Sequence, residues 1–381
     1  MTAITLAAGL LCAASLIGVV YLILAGLAVR RFLALAPAVP TVRPPVTLLK
    51  PLRGADYELE ANLRQFGRLA YPEYQIVFGV QDEADPAVAI VRRLIAERPP
   101  ADMTLVVDSR LYGSNGKISN LINMLAAARH DLLVISDSDM RVGADYLDPL
   151  VAALEPPGVG IVTCLYRGAA APGLWSRLGA MFISYGFLPS VLVGRWLGAR
   201  FGCFGATMAL SRRTLEAAGG FEALKDILAD DYALGARVRA LGLELVLSRY
   251  LPDTVVEEPS FRHLLAHELR WARTMRGIAP AGYAASVITI PVPLALLAAL
   301  LWPAAGLTAL AIALAARLAQ VAWLARMQGF PAPSAWLVPV RDLLSFGLVI
   351  ASFCGTAISW RDQRFRVDAE GRLSAERESR A

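Results

Sequence analysis

The sequence predicts an α/β fold with a mainly parallel sheet, carried between membrane-spanning helices at both ends of the chain. Three observations predict it. The 381 residues are 56% hydrophobic and only 18% charged, with a mean hydropathy of +0.51; an ordinary soluble domain is about 25% charged. Residues 1–29, 277–316 and 343–360 carry no charged side chain. Between these zones, strand-like apolar runs alternate with helix-like segments, which is the pattern of βαβ units.

The first element is a transmembrane anchor over residues 1–30. Leu6–Val29 exceeds the roughly 20 apolar residues that cross a bilayer as a helix. It is too long for the core of a signal peptide, and no basic residue precedes it. Arg30 and Arg31 follow, so the positive-inside rule puts residue 30 onward in the cytoplasm. Pro37, Pro40, Pro44 and Pro45 make a stiff lead into a cytoplasmic domain over 31–276. Its expected strands are Val46–Lys50, Gln75–Val80, Met103–Val107 and Leu132–Ser136. Helices are expected at Glu58–Leu69, Ala87–Glu97, Lys117–Ala128 and Tyr232–Leu241. Ala180–Phe204 is unusually apolar and reads as a core helix or as an interfacial helix guiding a lipid headgroup. A membrane region over 277–360, broken at Trp302-Pro303, reads as spans near 284–301, 304–325 and 343–360. The tail, 361–381, is basic, with Arg361, Arg364, Arg366 and Arg372. Four passes leave that tail outside, against the charge rule; either one segment is re-entrant or interfacial, or the rule does not hold here.

Composition excludes several functions. Cys12, Cys164, Cys203 and Cys354 lack CxxC spacing, so neither a disulfide framework nor a zinc site is expected. The net charge of +5 comes from 37 basic residues of which only Lys50, Lys117 and Lys225 are lysine. No basic run or RNP-type aromatic motif accompanies them, so nucleic acid is not an expected partner. A basic surface facing a membrane fits instead.

In a parallel α/β sheet, ligands sit beyond the carboxyl ends of the strands. Gln81-Asp82-Glu83-Ala84-Asp85 follows the second expected strand. Asp137-Ser138-Asp139 follows the fourth, and carboxylates one residue apart make a hard-oxygen site suited to Mg²⁺ or Mn²⁺ on a diphosphate; the bland reading is a solvated turn. Gly113-Ser114-Asn115-Gly116-Lys117 opens a helix and can hold phosphate or a polar base, but lacks the spacing of a P-loop ATPase. Asp230 and Asp231 open another helix, where acids also simply complement the helix dipole. His267-Glu268-Leu269-Arg270-Trp271 by itself reads as an amphipathic juxtamembrane helix.

The ordered set resembles the membrane-bound inverting glycosyltransferases with a GT-A, Rossmann-like fold, and most closely the ceramide glucosyltransferase-like family 21, which includes the bacterial hopanoid-biosynthesis glycosyltransferase. The stretches that carry the resemblance are Leu49-Lys50-Pro51-Leu52-Arg53-Gly54, Val80-Gln81-Asp82-Glu83-Ala84-Asp85-Pro86, Lys117-Ile118-Ser119-Asn120-Leu121, Asp137-Ser138-Asp139-Met140-Arg141-Val142, Ala229-Asp230-Asp231-Tyr232 and Ser359-Trp360-Arg361. It implies a UDP-sugar donor, a membrane lipid acceptor (ceramide or a polyhydroxylated hopanoid) and a divalent cation. It implies nucleotide contacts from Asp82 and Lys117, and metal binding by Asp139 with Asp137. Asp231 would be the general base, with Asp230 beside it on the substrate. Arg270 and Trp271 would belong to the (Q/R)xxRW signature, with His267 standing where the family usually has Gln or Arg. The abundance of Ala and Arg points to a bacterial inner membrane, with the catalytic domain in the cytoplasm, and tilts toward hopanoid and N-acetylglucosamine. A processive polysaccharide synthase shares these motifs, but four spans are few for its pore. A transporter is disfavoured because the apolar runs hold almost no ionisable residues.

Overall fold

The computed structural model describes residues 3–199, 201–355, 357–360, 363–367 and 373–375. Most of the tail at 361–381, including Arg361 and Arg372, lies outside the described residues. The chain forms two units. One is Ala36–Pro172, Phe201–Glu257 and Val367–Ala381; the other is Met1–Leu35, Gly173–Arg200 and Glu258–Arg366.

The first unit is built on β1 (Val46–Pro51), β2 (Tyr74–Val80), β3 (Asp102–Val107), β4 (Leu132–Ser136), β5 (Met140–Arg141), β6 (Val159–Thr163), β7 (Arg167–Ala170), β8 (Thr207–Ser211), β9 (Glu244–Leu247) and β10 (Asp253–Val256). The main sheet has the order β3-β2-β1-β4-β8-β6-β9. β1 to β4 are mutually parallel, β8 is antiparallel to both neighbours, and β6 is parallel to β9. The four expected strands are its parallel half.

These strands read as unbroken apolar runs because both faces are covered. Leu48, Ile76, Phe78 and Val134 pack on one side with Leu63, Val88 and Leu147. Leu49, Val77, Leu133 and Ile135 pack on the other with Ile118, Leu121 and Leu234. The register Leu48↔Ile76 and Leu48↔Val134 brings the carboxyl ends of β1, β2 and β4 to one edge. Helices leave that edge with caps in place. Asp85 accepts from the Ala87 N–H at the start of Pro86–Ala96, and Asn115 accepts from Ile118 N–H at the start of Gly116–Leu125. A small sheet, β5-β10-β7, sets Thr254 opposite Met140, next to Asp139.

The second unit is mainly helical. Ala3–Leu33, Leu174–Trp196 and Pro303–Gln328 are long and apolar enough to cross a membrane, and the bent pair Pro280–Thr289 and Pro291–Leu301, at 69°, is a broken span or a re-entrant loop. Small residues let the first helix approach its neighbours: a Cβ at Gly18 would strike Ile288 O, and one at Gly26 the Trp323 ring. One expectation changes here. The apolar run at 343–360 is not one span. Its helix, Leu337–Ser352, begins earlier with buried Arg341 and Asp342, ends at Ser352, and is followed by the strand Ala357–Trp360. The lack of charge in that run reported composition, not helical continuity. Residues 180–196 fall within the span-length helix Leu174–Trp196, which ends before the rest of that apolar segment. That helix contains a π-turn, Ile183–Phe187, whose freed carbonyls are used. Gln328 Nε2 donates to Ser184 O and Arg317 Nη1 to Tyr185 O, both at 3.1 Å.

Candidate active site

The edge that holds the ends of β1, β2 and β4 carries a charged cluster around Lys117. This lysine is the second residue of the helix Gly116–Leu125. The preceding loop is tied down from 225–227: Ser114 N–H donates to Asp226 Oδ1 at 2.8 Å, Asn115 N–H to Lys225 O at 2.7 Å, and Asn115 Nδ2 to Ile227 O at 2.8 Å. Gly113 is required by this crossing, since a Cβ there would lie 2.5 Å from Lys225 O.

Lys117 Nζ pairs with Asp137 Oδ1 at 2.6 Å. Burial opposes its charge, yet Asp137, Asp230 and Asp231 outweigh that and hold the ammonium above its ordinary pKa. Asp230 is buried and accepts from Asn115 Nδ2 at 3.3 Å; burial pushes its carboxyl up. Asp231 is gripped by two backbone donors: Gly205 N–H to Oδ2 and Tyr232 N–H to Oδ1, each at 2.7 Å. Burial, reinforced by the charge of Asp230, raises it to about 6. A Cβ at Gly205 would lie 3.2 Å from Asp231 Oδ2 and 3.4 Å from Lys117 Nζ, so this glycine is where the two groups meet.

Asp139 lies beyond β4. Its Oδ2 accepts from Thr254 Oγ1 at 2.8 Å, while its Oδ1 is buried without a partner. Burial and the nearby Asp137 raise it to about 6. Among the described residues no group of three or more His, Cys, Asp and Glu side chains could hold a metal ion. An orphaned carboxylate oxygen beside a second carboxylate nevertheless fits a hard divalent cation that takes its other ligands from phosphate oxygens.

The structure thus brings together Lys117, Asp137, Asp230 and Asp231, with Asp139 coupled to them through Asp137. Asp82 follows the end of β2, as expected, and is exposed, its Oδ1 accepting from Ala84 N–H at 2.9 Å. Its neighbour Gln81 reaches the Lys117 helix, where a Cβ on Gly116 would lie 3.4 Å from Gln81 Oε1. His267, Arg270 and Trp271 belong to the helical unit, on Phe261–Ile278. There His267 Nδ1 lies 2.7 Å from Glu258 Oε1, and its ring packs 4.2 Å from that of Trp271.

Sequence reading missed Lys50 and Thr254. Lys50 is fully buried at the end of β1, 3.3 Å from Ser136 Oγ and bonded to the carbonyl of Asp137, with the Phe66 ring 3.8 Å away. Burial lowers its pKa to about 7, against the pull of Asp139 and Asp137. A lysine inside an apolar strand, in a chain with three lysines, was a usable signal. Thr254 had none, because only strand register delivers it.

The family model for Glycosyl transferase family 21 matches residues 10–373. Ceramide glucosyltransferase 1 of Caenorhabditis elegans is 27% identical over 212 residues, which cover 55% of this chain and 45% of that protein. Ceramide glucosyltransferase 3 of the same organism is 24% identical over 239 residues, 62% of this chain and 52% of the relative. The chain spans about half the length of the curated relatives it matches. A solved mannosyltransferase, PcManGT from Pyrobaculum calidifontis in complex with GDP-Man and Mn²⁺, shares the fold at a TM-score of 0.57 and 22% identity, over 92% of this chain and 98% of that one.

Proposed function

This chain belongs to glycosyl transferase family 21, and from that premise we propose that it is a membrane-bound inverting GT-A enzyme moving a hexose from a UDP-sugar to a lipid hydroxyl. The observation that carries the reading is the arrangement at the strand ends: a partly buried carboxylate, Asp231, fixed by two backbone donors beside the Lys117–Asp137 pair.

Transfer by direct displacement needs an in-line acceptor oxygen, a base for its proton and a stabilised leaving group. Asp231 takes the proton of the acceptor hydroxyl while that oxygen bonds to the anomeric carbon. The bond from that carbon to the diphosphate breaks with its electron pair on UDP. One displacement inverts configuration, so an α-linked donor gives a β-glycoside. A carboxylate held near pKa 6 suits a base working near neutral pH. Lys117 supplies positive charge toward the nucleotide, and Asp82 contacts its base. A divalent cation held by Asp137 and Asp139 would neutralise charge on the diphosphate. The roles that the resemblance gives His267, Arg270 and Trp271 are part of this proposal.

The names of the relatives support ceramide as one acceptor; the resemblance adds a polyhydroxylated hopanoid. The donor is UDP-glucose or UDP-N-acetylglucosamine, and the enzyme sits in a bacterial inner membrane with its catalytic face in the cytoplasm. Purified membranes are incubated with each donor and each lipid, and products are read by mass spectrometry. A lipid gaining a single hexose or N-acetylhexosamine is expected. A polymer, or no transfer to either lipid, overturns the reading.

A further inference from the structure

Glu268 is buried on the helix Phe261–Ile278, between His267 and Arg270. Arg341, only 1% exposed, meets it as a fork: Nη1 donates to Oε1 at 2.7 Å and Nη2 to Oε2 at 2.8 Å. Nη1 also donates to Leu178 O at 3.2 Å, and the guanidinium lies 5.5 Å from the centre of the Phe182 ring. That ring stacks on Trp271, with centroids 6.2 Å apart and planes at 26°. Arg341 therefore reaches the signature helix twice, through Glu268 and through Phe182 to Trp271.

We infer that Arg341 is a positioning residue for the transfer reaction: its fork on Glu268 and its contact with Phe182 set the rotation of the helix that carries Arg270 and Trp271. The inference rests on the functional reading of those two residues given above. Residues two apart on a helix point about 200° from each other, and residues three apart share a face. Glu268 held inward thus turns Arg270 to the opposite face, while Trp271 stays on the side of Phe182. A bidentate fork resists rotation in a way that a point contact does not. Stability is a weak explanation for the pair, because buried ion pairs are often replaced by apolar residues without loss. Neighbouring Asp342 supplies the internal control. It is also buried and paired, with Arg317 Nε at 3.0 and 3.2 Å, but that arginine continues to Tyr185 O and Gln320 rather than to the signature helix.

The test uses the full chain in detergent micelles, with UDP-glucose plus ceramide or UDP-N-acetylglucosamine plus a polyhydroxylated hopanoid, whichever pair the parent turns over. Arg341→Lys should lower kcat by about 10²-fold, the scale of an ångström-level misplacement, with UDP affinity within about twofold of the parent. Phe182→Leu leaves the ion pair intact and should also lower kcat selectively; it decides the matter alone if Arg341→Lys does not fold. Asp342→Asn should lower thermal stability without a comparable fall in kcat. Parental kcat, within about threefold, in the Arg341 and Phe182 variants overturns the inference. So does an equal fall in kcat in Asp342→Asn at the same loss of stability. Arg270→Lys in the same assay separates the premises: full turnover there overturns the functional reading, whereas loss there with none in Arg341→Lys overturns only the inference.

Discussion

At the scale of residues, Asp231, the proposed base, is held in a state that costs stability near neutral pH. Burial raises it to about 6 from the ordinary value of about 3.9. A base must be unprotonated, so turnover should fall as pH drops through about 6. Stability should move the other way. The folded state binds this proton more readily than the unfolded chain, so stability rises as pH falls from about 6 toward about 4. Opposite trends in kcat and thermal midpoint over that window are the expected signature, and parallel trends would count against it. Asp231→Asn cannot accept the proton and should lower kcat by about 10²–10⁴-fold with UDP-sugar binding retained; a fall of only a few-fold sends the base elsewhere, with His267 next to test. Asp139→Ala removes the buried unpaired oxygen, so the gain in UDP affinity on adding Mn²⁺ should vanish while the fold survives. Calorimetry showing the same Mn²⁺ gain in this variant would dismiss the metal assignment. The places of Asp82, Asp137, Asp139 and Lys117 in the fold were legible because each follows a strand or opens a helix. Thr254 and the carbonyl contact of Lys50 were not, since strand register alone makes those meetings.

At the scale of elements, the loop before Lys117 shows how a short motif is kept rigid. Asn115 caps its own helix and donates to Ile227 O and Asp230 Oδ1. Asn115→Ala removes the cap and leaves Asp230 less satisfied, which should destabilise the protein by about 1–3 kcal/mol. Urea unfolding reads this directly, and a loss below about 0.5 kcal/mol would show that the loop is held by its backbone bonds alone. The limits of β1 to β4 were readable to within a residue or two, because strands covered on both faces must be apolar throughout; β5 to β10 were not read from the sequence. The helix at 337–352 was not, since its charges, Arg341 and Asp342, are admitted by partners far along the chain. The π-turn at Ile183–Phe187 left no mark in the hydropathy pattern; Arg317 and Gln328, far along the chain, donate to its carbonyls.

At the scale of the molecule, Arg30 and Arg31 at the end of the first helix argue that the catalytic unit faces the cytoplasm. With the four native cysteines replaced, Ala84→Cys in the exposed turn after β2 should react with an impermeant maleimide in inverted vesicles and not in intact cells. Labelling of intact cells would reverse the orientation. That the sheet lies between apolar ends was readable from composition; that Gly173–Arg200 joins the helical unit was not, because grouping depends on packing. The interleaving has a consequence in time. Ser15, Gly18 and Gly26 of the first helix are shaped for Ile288, Pro291 and Trp323, which leave the ribosome some 260–300 residues later. At about 5–20 residues per second, that narrow small-residue seam waits roughly 10–60 s in the bilayer before its partners exist. The nascent chain therefore passes through a stage in which lipid, or the insertion machinery, must stand in for the missing helices.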